Sequence, residues 1–224
     1  MPTRNEIVVS IPSIDRRVDV GCIGGLLQTC HLYHHTDFFC GNSDIALARN
    51  EIAHRFVEYS DFPWLVMIDS DIEFNPSDWE LLWEGDEDIV TCAYSKKIIG
   101  EKPAEYGLGF TRVHRSVFER LRDLRMEDGK EALPRFYLKG DVMCAYFTSG
   151  PSHDSRWVGE DKSFFIRASL LNGCTCRVER RTTLRHIGAF PFHYPEQIPR
   201  SVIGKFIPRD EYDAIDDSDK TVGQ

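Results

Sequence analysis

Residues Trp64 to Asp71 read W-L-V-M-I-D-S-D, an apolar run that stops abruptly at two carboxylates spaced i, i+2. A short apolar run bounded in this way predicts a buried strand, Leu65 to Ile68. The two-residue period of a strand places Asp69 and Asp71 on one side of its end. There they can converge on a cation that carries a diphosphate. The chain has two other acidic triplets, D-E-D at Asp86 to Asp88 and D-S-D at Asp217 to Asp219. Neither follows an apolar run, and both read as solvated surface charge.

The segments around this strand alternate in period. Ile7 to Ile11 is a β-branched strand stopped by Pro12, followed by a polar loop with Asp15, Arg16, Arg17 and Asp19. Gly21, Gly24 and Gly25 open a helix, but without the G-x-G-x-x-G spacing of a dinucleotide fingerprint. Ser43 is placed to cap a helix whose apolar face is Ile45, Ala48, Ile52 and Phe56, with Arg49 beside it. Asn75-Pro76 starts another helix, with Trp79, Leu82 and Trp83 turned to the core. Asp88 to Tyr94 reads as a central strand and Gly107 to Val113 as a more exposed one. A helix follows at Val117, Leu121 and Leu124, then a solvated loop from Arg125 to Lys130. Met143 to Phe147 reads as a strand and Thr148 to Arg156 as a polar loop. Helix Glu160 to Leu171 ends at Asn172-Gly173, and Thr175 to Val178 is the last strand. Strands alternating with helices predict an α/β domain with a mostly parallel sheet. Ligands of such sheets bind beyond the carboxyl ends of the strands, where Asp69 and Asp71 lie.

The chain has 224 residues, 42% of them apolar, enough for one sizeable core. Its formal charge is −9, which gives no general footprint for nucleic acid. Arg209 to Gln224 holds six acidic and two basic residues and so carries −4 of that charge. This segment, 209–224, reads as a flexible acidic tail after a single body spanning 1–208. The body is only mildly acidic, so a local nucleic-acid contact stays open. Arg177, Arg180, Arg181 and Arg185, with His114, Arg115, Arg120, Arg122 and Arg125, suit either a phosphate-binding edge or a solvated face, and the solvated face is favoured. No secretory segment or 18-residue apolar run is present, so a soluble cytoplasmic protein without a membrane span is expected, in the host cytoplasm if viral. Seven dispersed cysteines fit reduced thiols. Cys30, His31, His34, His35 and Cys40 crowd one segment but lack the second half of a zinc-finger spacing, so buried cysteines and surface histidines are expected.

A second acidic constellation stands about ninety residues after the first. In Trp157-Val158-Gly159-Glu160-Asp161 two carboxylates open a helix, where the dipole favours their ionised forms. Leu184-Arg185-His186-Ile187-Gly188 then adds a histidine. Taken in order, the three pieces resemble the GT-A glycosyltransferases, of the family-2 type, over roughly Ile7 to Tyr194. Trp157 to Asp161 is similar to the W-G-G-E-D segment of β-1,4-galactosyltransferases, with Val158 in place of a glycine. Leu184-Arg185-His186 is similar to their I-R-H. The short chain matches the bare catalytic cores of bacteriophage and bacterial enzymes of this type.

The resemblance implies a GT-A type, Rossmann-like α/β/α sandwich with a mostly parallel central sheet. It implies metal-dependent transfer of a sugar from a nucleotide-sugar donor, a UDP-sugar foremost, to an acceptor hydroxyl, with inversion. The acceptor could be a glycan, a small molecule or a hydroxymethylated base of phage-type DNA. By position, Pro12, Ser13, Arg49, Asp69 and Ser70 would serve the donor. Asp71 and His186 would hold Mn²⁺ or Mg²⁺. Asp161 would be the catalytic base, with Glu160, Trp157 and Gly159 around the acceptor. Two rival readings share the fold: a nucleotidyltransferase, whose glycine- and lysine-rich signature is missing, and a sugar-nucleotide-binding protein without transfer activity. A haloacid-dehalogenase-like phosphatase would carry Thr or Val two residues after its second aspartate, whereas Ile72 and Glu73 follow Asp71.

Overall fold

In the computed structural model, residues 2–13, 16–40, 44–94, 106–127, 129–151, 156–187, 192–193 and 202–204 are described. A 3-10 turn, Arg4–Glu6, leads into β1 (Ile7–Ser13), followed by α1 (Val20–Thr29), β2 (His35–Cys40), α2 (Ile45–Tyr59), β3 (Trp64–Ile68), β4 (Ile72–Glu73), α3 (Pro76–Leu82) and β5 (Ile89–Cys92). The second half holds β6 (Phe110–His114), α4 (Arg115–Asp123), β7 (Arg135–Leu138), β8 (Asp141–Cys144), β9 (Gly150–Pro151), β10 (Trp157–Val158), α5 (Glu160–Ala168), β11 (Cys176–Glu179), β12 (Arg185–His186), β13 (Phe192–His193) and β14 (Val202–Gly204). The acidic segment 209–224 lies outside the described residues.

β1 is buried along its whole length, as a strand covered on both faces must be. It pairs in parallel with β2 on one side and β3 on the other. The central sheet runs β14-β11-β5-β6-β3-β1-β2. β2, β1, β3, β5 and β11 point one way, and β6 and β14 run against them. The pleat sends alternate residues to opposite faces. Leu65 and Met67 of β3 join a core with Ile52 and Phe56 of α2, Phe118 of α4 and Phe164 of α5. Val66 and Ile68 join another with Cys22 and Leu26 of α1 and Trp79 and Leu82 of α3. The result is an α/β/α sandwich with a mostly parallel sheet. No helix among the described residues is long and apolar enough to cross a membrane.

Local chemistry sets the helix starts. The Asp19 carboxylate accepts from the Gly21 N–H at 2.7 Å and caps α1. Asn75 caps α3, with Pro76 in the first turn as its fixed φ allows. α2 is capped by Asp44, not by the expected Ser43, which is outside the described residues. The Asp44 carboxylate accepts from both Ala46 and Leu47 N–H groups, at 2.9 and 3.2 Å.

Several segments differ from the sequence reading. β6 is not exposed but buried between β5 and β3. Its misleading polar residue, Arg112, is buried with its guanidinium 4.5 Å from the Trp64 ring and 5.2 Å from the Trp83 ring. The strand expected at Met143 to Phe147 lies earlier, at β8, as one arm of a hairpin with β7. Phe147 is instead held by the Asn50 side chain, which accepts from its N–H at 2.9 Å and donates to its carbonyl at 2.7 Å. α5 stops at Ala168, and the chain then turns through Gly173 at φ +74. β11 is not the last strand, since β12, β13 and β14 follow it. Burial on α2 extends beyond one apolar face to Arg49, Asn50, Glu51 and His54; the β7–β8 hairpin faces the last two, with Lys139 Nζ 2.8 Å from Glu51 and Asp141 Oδ2 3.8 Å from His54 Nε2. The expected burial fails at Cys30 and Cys40, which are exposed, whereas the other five cysteines are buried.

The arginines suspected of forming a phosphate-binding edge are occupied within the protein. Arg177 is buried and pairs with Glu179 at 2.5 Å and Glu87 at 3.3 Å. It also donates to the Leu81 carbonyl at 3.1 Å and to that of Glu84, closing the C-terminus of α3. Arg181 pairs with Glu84 and Glu179, Arg185 with Glu73, and Arg115 donates to carbonyls at the end of α2. The preferred solvated-face reading also fails at Arg177, whose charge is compensated inside. Burial alone would raise the Glu179 pKa, but hydrogen bonds from Arg181 and the charges of Arg181 and Arg177 outweigh it and hold it below the usual glutamate value. That contribution to stability is present above the ordinary glutamate pKa and lost as pH falls through the lowered one. Glu179→Ala, which takes the nearer of two carboxylates from the buried Arg177 and leaves Glu87 at 3.3 Å, should cost about 3 kcal/mol. Chemical denaturation checks this; a loss below about 1 kcal/mol, as for exposed pairs, would contradict it.

Candidate active site

The end of β3 is pinned on three sides. The Asp69 N–H donates to the Gly109 carbonyl at 2.9 Å, the Asp19 N–H to the Ser70 carbonyl at 2.7 Å, and the Ile187 N–H to the Asp71 carbonyl at 2.8 Å. The Asp-Ser-Asp turn is therefore tied to the approach of β6, the cap of α1 and the chain leaving β12. β12 reaches it because the small sheet β13-β12-β4 sets Arg185 opposite Glu73 and His186 opposite Ile72.

Arg49 enters from the first half of α2, with its side chain only 1% exposed. Its Nη2 donates to Asp69 Oδ1 at 2.7 Å. Its Nη1 donates to Glu160 Oε1 at 2.6 Å and Asp161 Oδ1 at 2.7 Å. One guanidinium thus joins the strand-end carboxylate to the pair in the first turn of α5. Burial works against its charge, but Asp161, Asp69 and Glu160 outweigh that and push its pKa up. The Asp161 pKa is raised to about 7, first by burial, then by Glu160 and Asp69, against the opposing pull of Arg49. A carboxyl so placed exchanges its proton near neutrality.

Beside this group, His186 Nε2 lies 3.3 Å from Asp71 Oδ1, with the side chains 16% and 32% exposed. A carboxylate oxygen with an imidazole nitrogen is a donor set suited to Mn²⁺ and acceptable to Mg²⁺. Among the described residues no group of three or more His, Cys, Asp or Glu is assembled to hold a metal. The residues present fit a divalent ion only as an open site, in which a ligand or water would supply the other donors.

The other sequence candidates fall nearby to different degrees. Pro12 and Ser13 end β1, next to β3, and both are buried; Ser13 Oγ donates to the Arg17 carbonyl at 2.7 Å. Ser70 contributes its carbonyl to the turn. Gly159 is the N-cap residue of α5, and Trp157 stands 74% exposed on the β9–β10 pair just before it. Arg49, expected beside a donor, is enclosed by carboxylates.

Sequence reasoning missed Tyr94. Its ring meets the His186 imidazole edge-on, with centroids 5.4 Å apart at 87°, and its hydroxyl accepts from the Gly109 N–H at 3.3 Å. Burial first, then Asp69 and Asp161, raise its pKa well above that of a free phenol, so it stays protonated. The available signal was its place just past a central strand, the position that singled out Asp69. A cavity of about 550 Å³ lies elsewhere, between β1, β2 and the second half of α2, lined by Ser10, His35, Phe39, Arg55 and Tyr59 among others, and by none of the residues above.

No protein-family model matches the chain, and no curated protein matches it in sequence. The chain is similar in structure to A197 from STIV, a crystal structure, with a TM-score of 0.55 at 16% identity, over 88% of this chain and 97% of that one. A weaker similarity, TM-score 0.35 at 17% identity, is to the crystal structure of a glycosyltransferase involved in the glycosylation of the major capsid of PBCV-1, over 56% of this chain and 68% of that one. What the chain shares with A197 is its fold, across nearly the whole of both chains.

Proposed function

We propose that this chain is a metal-dependent GT-A glycosyltransferase that moves a sugar from a nucleotide-sugar donor, a UDP-sugar foremost, to an acceptor hydroxyl with inversion. The observation that carries the reading is the buried Arg49 guanidinium, which joins Asp69 at the end of β3 to Glu160 and Asp161 at the start of α5. It gathers, at the carboxyl end of a parallel strand, the two acidic segments whose order resembles that family.

Asp71 and His186 would hold Mn²⁺ or Mg²⁺, which neutralises the charge that develops on a diphosphate leaving group. Asp161 takes the proton of the acceptor hydroxyl as that oxygen bonds to the anomeric carbon and the bond to the diphosphate breaks. Its pKa near 7 suits a base working at neutral pH. Arg49 and a backbone hydrogen bond from Leu108 hold the Asp161 carboxylate in place for that transfer. Glu160 shares the same guanidinium nitrogen and sets the edge of the acceptor site. The exposed Trp157 ring offers a flat apolar face of the kind on which a sugar ring rests. With Arg177, Arg181 and Arg185 spent on internal carboxylates, the surroundings favour a glycan or small-molecule acceptor over DNA.

The test is release of nucleoside diphosphate from a panel of nucleotide sugars, with and without Mn²⁺ and simple glycoside acceptors. One donor should be consumed, and a chelator should stop the reaction. No release from any donor at millimolar Mn²⁺ would count against the proposal.

A further inference from the structure

Tyr94 sits where three features of the site meet, and its position is enforced from behind. A Cβ added to Gly109 would lie 2.8 Å from both the Tyr94 hydroxyl and Asp69 Oδ2, so phenol and carboxylate crowd over the same glycine. The three atoms nearest to a Cβ added to Gly107 all belong to Tyr94: the hydroxyl, Cζ at 2.7 Å and Cε1 at 2.9 Å. Gly107 cannot retreat cheaply, because its carbonyl accepts from the buried Thr91 hydroxyl and, at 3.0 Å, from that of Thr111. The two glycines thus form a floor on which the phenol rests. The same ring packs against His186 at 87°, with centroids 5.4 Å apart.

We propose that Tyr94 is a positioning residue of this site: held against Gly107 and Gly109, its ring sets the orientation of the His186 imidazole and its hydroxyl confines the Asp69 carboxylate. The inference rests on the reading of Asp71 and His186 as the metal-binding pair only for its effect on metal affinity. The geometric part holds in the metal-free protein.

A space-filling residue would make the opposite predictions to a positioning one. Tyr94→Phe keeps the ring, so Mn²⁺ affinity should stay within about twofold of wild type while the KM for donor rises and kcat changes less. Tyr94→Leu removes the ring, and Mn²⁺ affinity should fall about tenfold. Gly107→Ala adds a methyl and no polar group, and the atoms it meets first are those of Tyr94. It should therefore reproduce the loss seen in Tyr94→Leu, and add nothing when combined with it. The readouts are calorimetric Mn²⁺ titration and the imidazole ¹⁵N and ¹H shifts of His186 in the metal-free protein, at one pH and with thermal unfolding as a check of folding. Unmoved imidazole shifts in folded Tyr94→Leu or Gly107→Ala, or additive effects of the two, would overturn the inference. Moved shifts with no Mn²⁺ binding even by wild type would leave it standing and instead sink the metal reading above.

Discussion

Asp161→Asn should lower the rate of transfer by at least ~10²-fold, about 2.7 kcal/mol of transition-state stabilisation, while donor and metal binding persist. The amide keeps the shape and the first turn of α5, and Asp69, Asp71 and His186 are untouched. It cannot take the proton of the acceptor. The pH dependence carries a second signature. Because burial raises the Asp161 pKa to about 7, the wild-type kcat/KM should rise with pH through that value and level off above it. In Asp161→Asn the limb should vanish. The same shift has a consequence for stability. Between its ordinary pKa and about 7 the folded protein holds a proton that the unfolded chain has released, so the Asp161 contribution to stability falls as pH rises across that window. Glu160→Gln should cost less if Glu160 only bounds the acceptor. A turnover unchanged in Asp161→Asn, or a product of retained configuration by NMR, would remove Asp161 as the base of an inverting reaction.

Asp71→Ala should reduce metal-dependent transfer on the order of 10³-fold, the several kcal/mol that Lewis-acid neutralisation of a leaving diphosphate supplies. The Asp71 side chain is about one-third exposed, and its backbone carbonyl, not its carboxylate, receives the Ile187 N–H. The fold should therefore survive the change. His186→Ala should weaken Mn²⁺ binding less, since the carboxylate ligand remains. Equal Mn²⁺ affinity in wild type and both variants would detach the pair from any metal.

Most of this fold was legible because its signals are local. The apolar run Leu65 to Ile68 reads as a buried strand, and Asn75-Pro76 carries its cap beside it; Asp19, which read as part of a polar loop, is the cap of α1. Errors arose where a long-range partner reverses the local meaning. Arg112 made β6 look exposed, and only the Trp64 and Trp83 rings and the Leu82 carbonyl explain its burial. β7 and β8 were blurred because their pairing shields α2, a relation no window of sequence contains. The candidate site divides in the same way. Asp69, Asp71, Glu160 and Asp161 stood out as carboxylates at element ends. That Arg49 would bind three of them at once was invisible, since its partners lie 20, 111 and 112 residues away. Tyr94 was missed because what crowds it, Gly107 and Gly109, lies 13 and 15 residues on and read only as part of a strand.

The central claim is that the β3 turn and β12 form one divalent-ion site beside the Arg49 carboxylate cluster. Mn²⁺ is paramagnetic and broadens the amide signals of nearby residues, so substoichiometric Mn²⁺ added to ¹⁵N-labelled protein tests the claim directly. The amides of Asp71, Ile72, His186 and Ile187 should be lost first, with those of Glu160 and Asp161 next, and Asp71→Ala should abolish the effect. Broadening that begins at the surface triplet Asp86 to Asp88, or is unchanged in Asp71→Ala, would contradict the account.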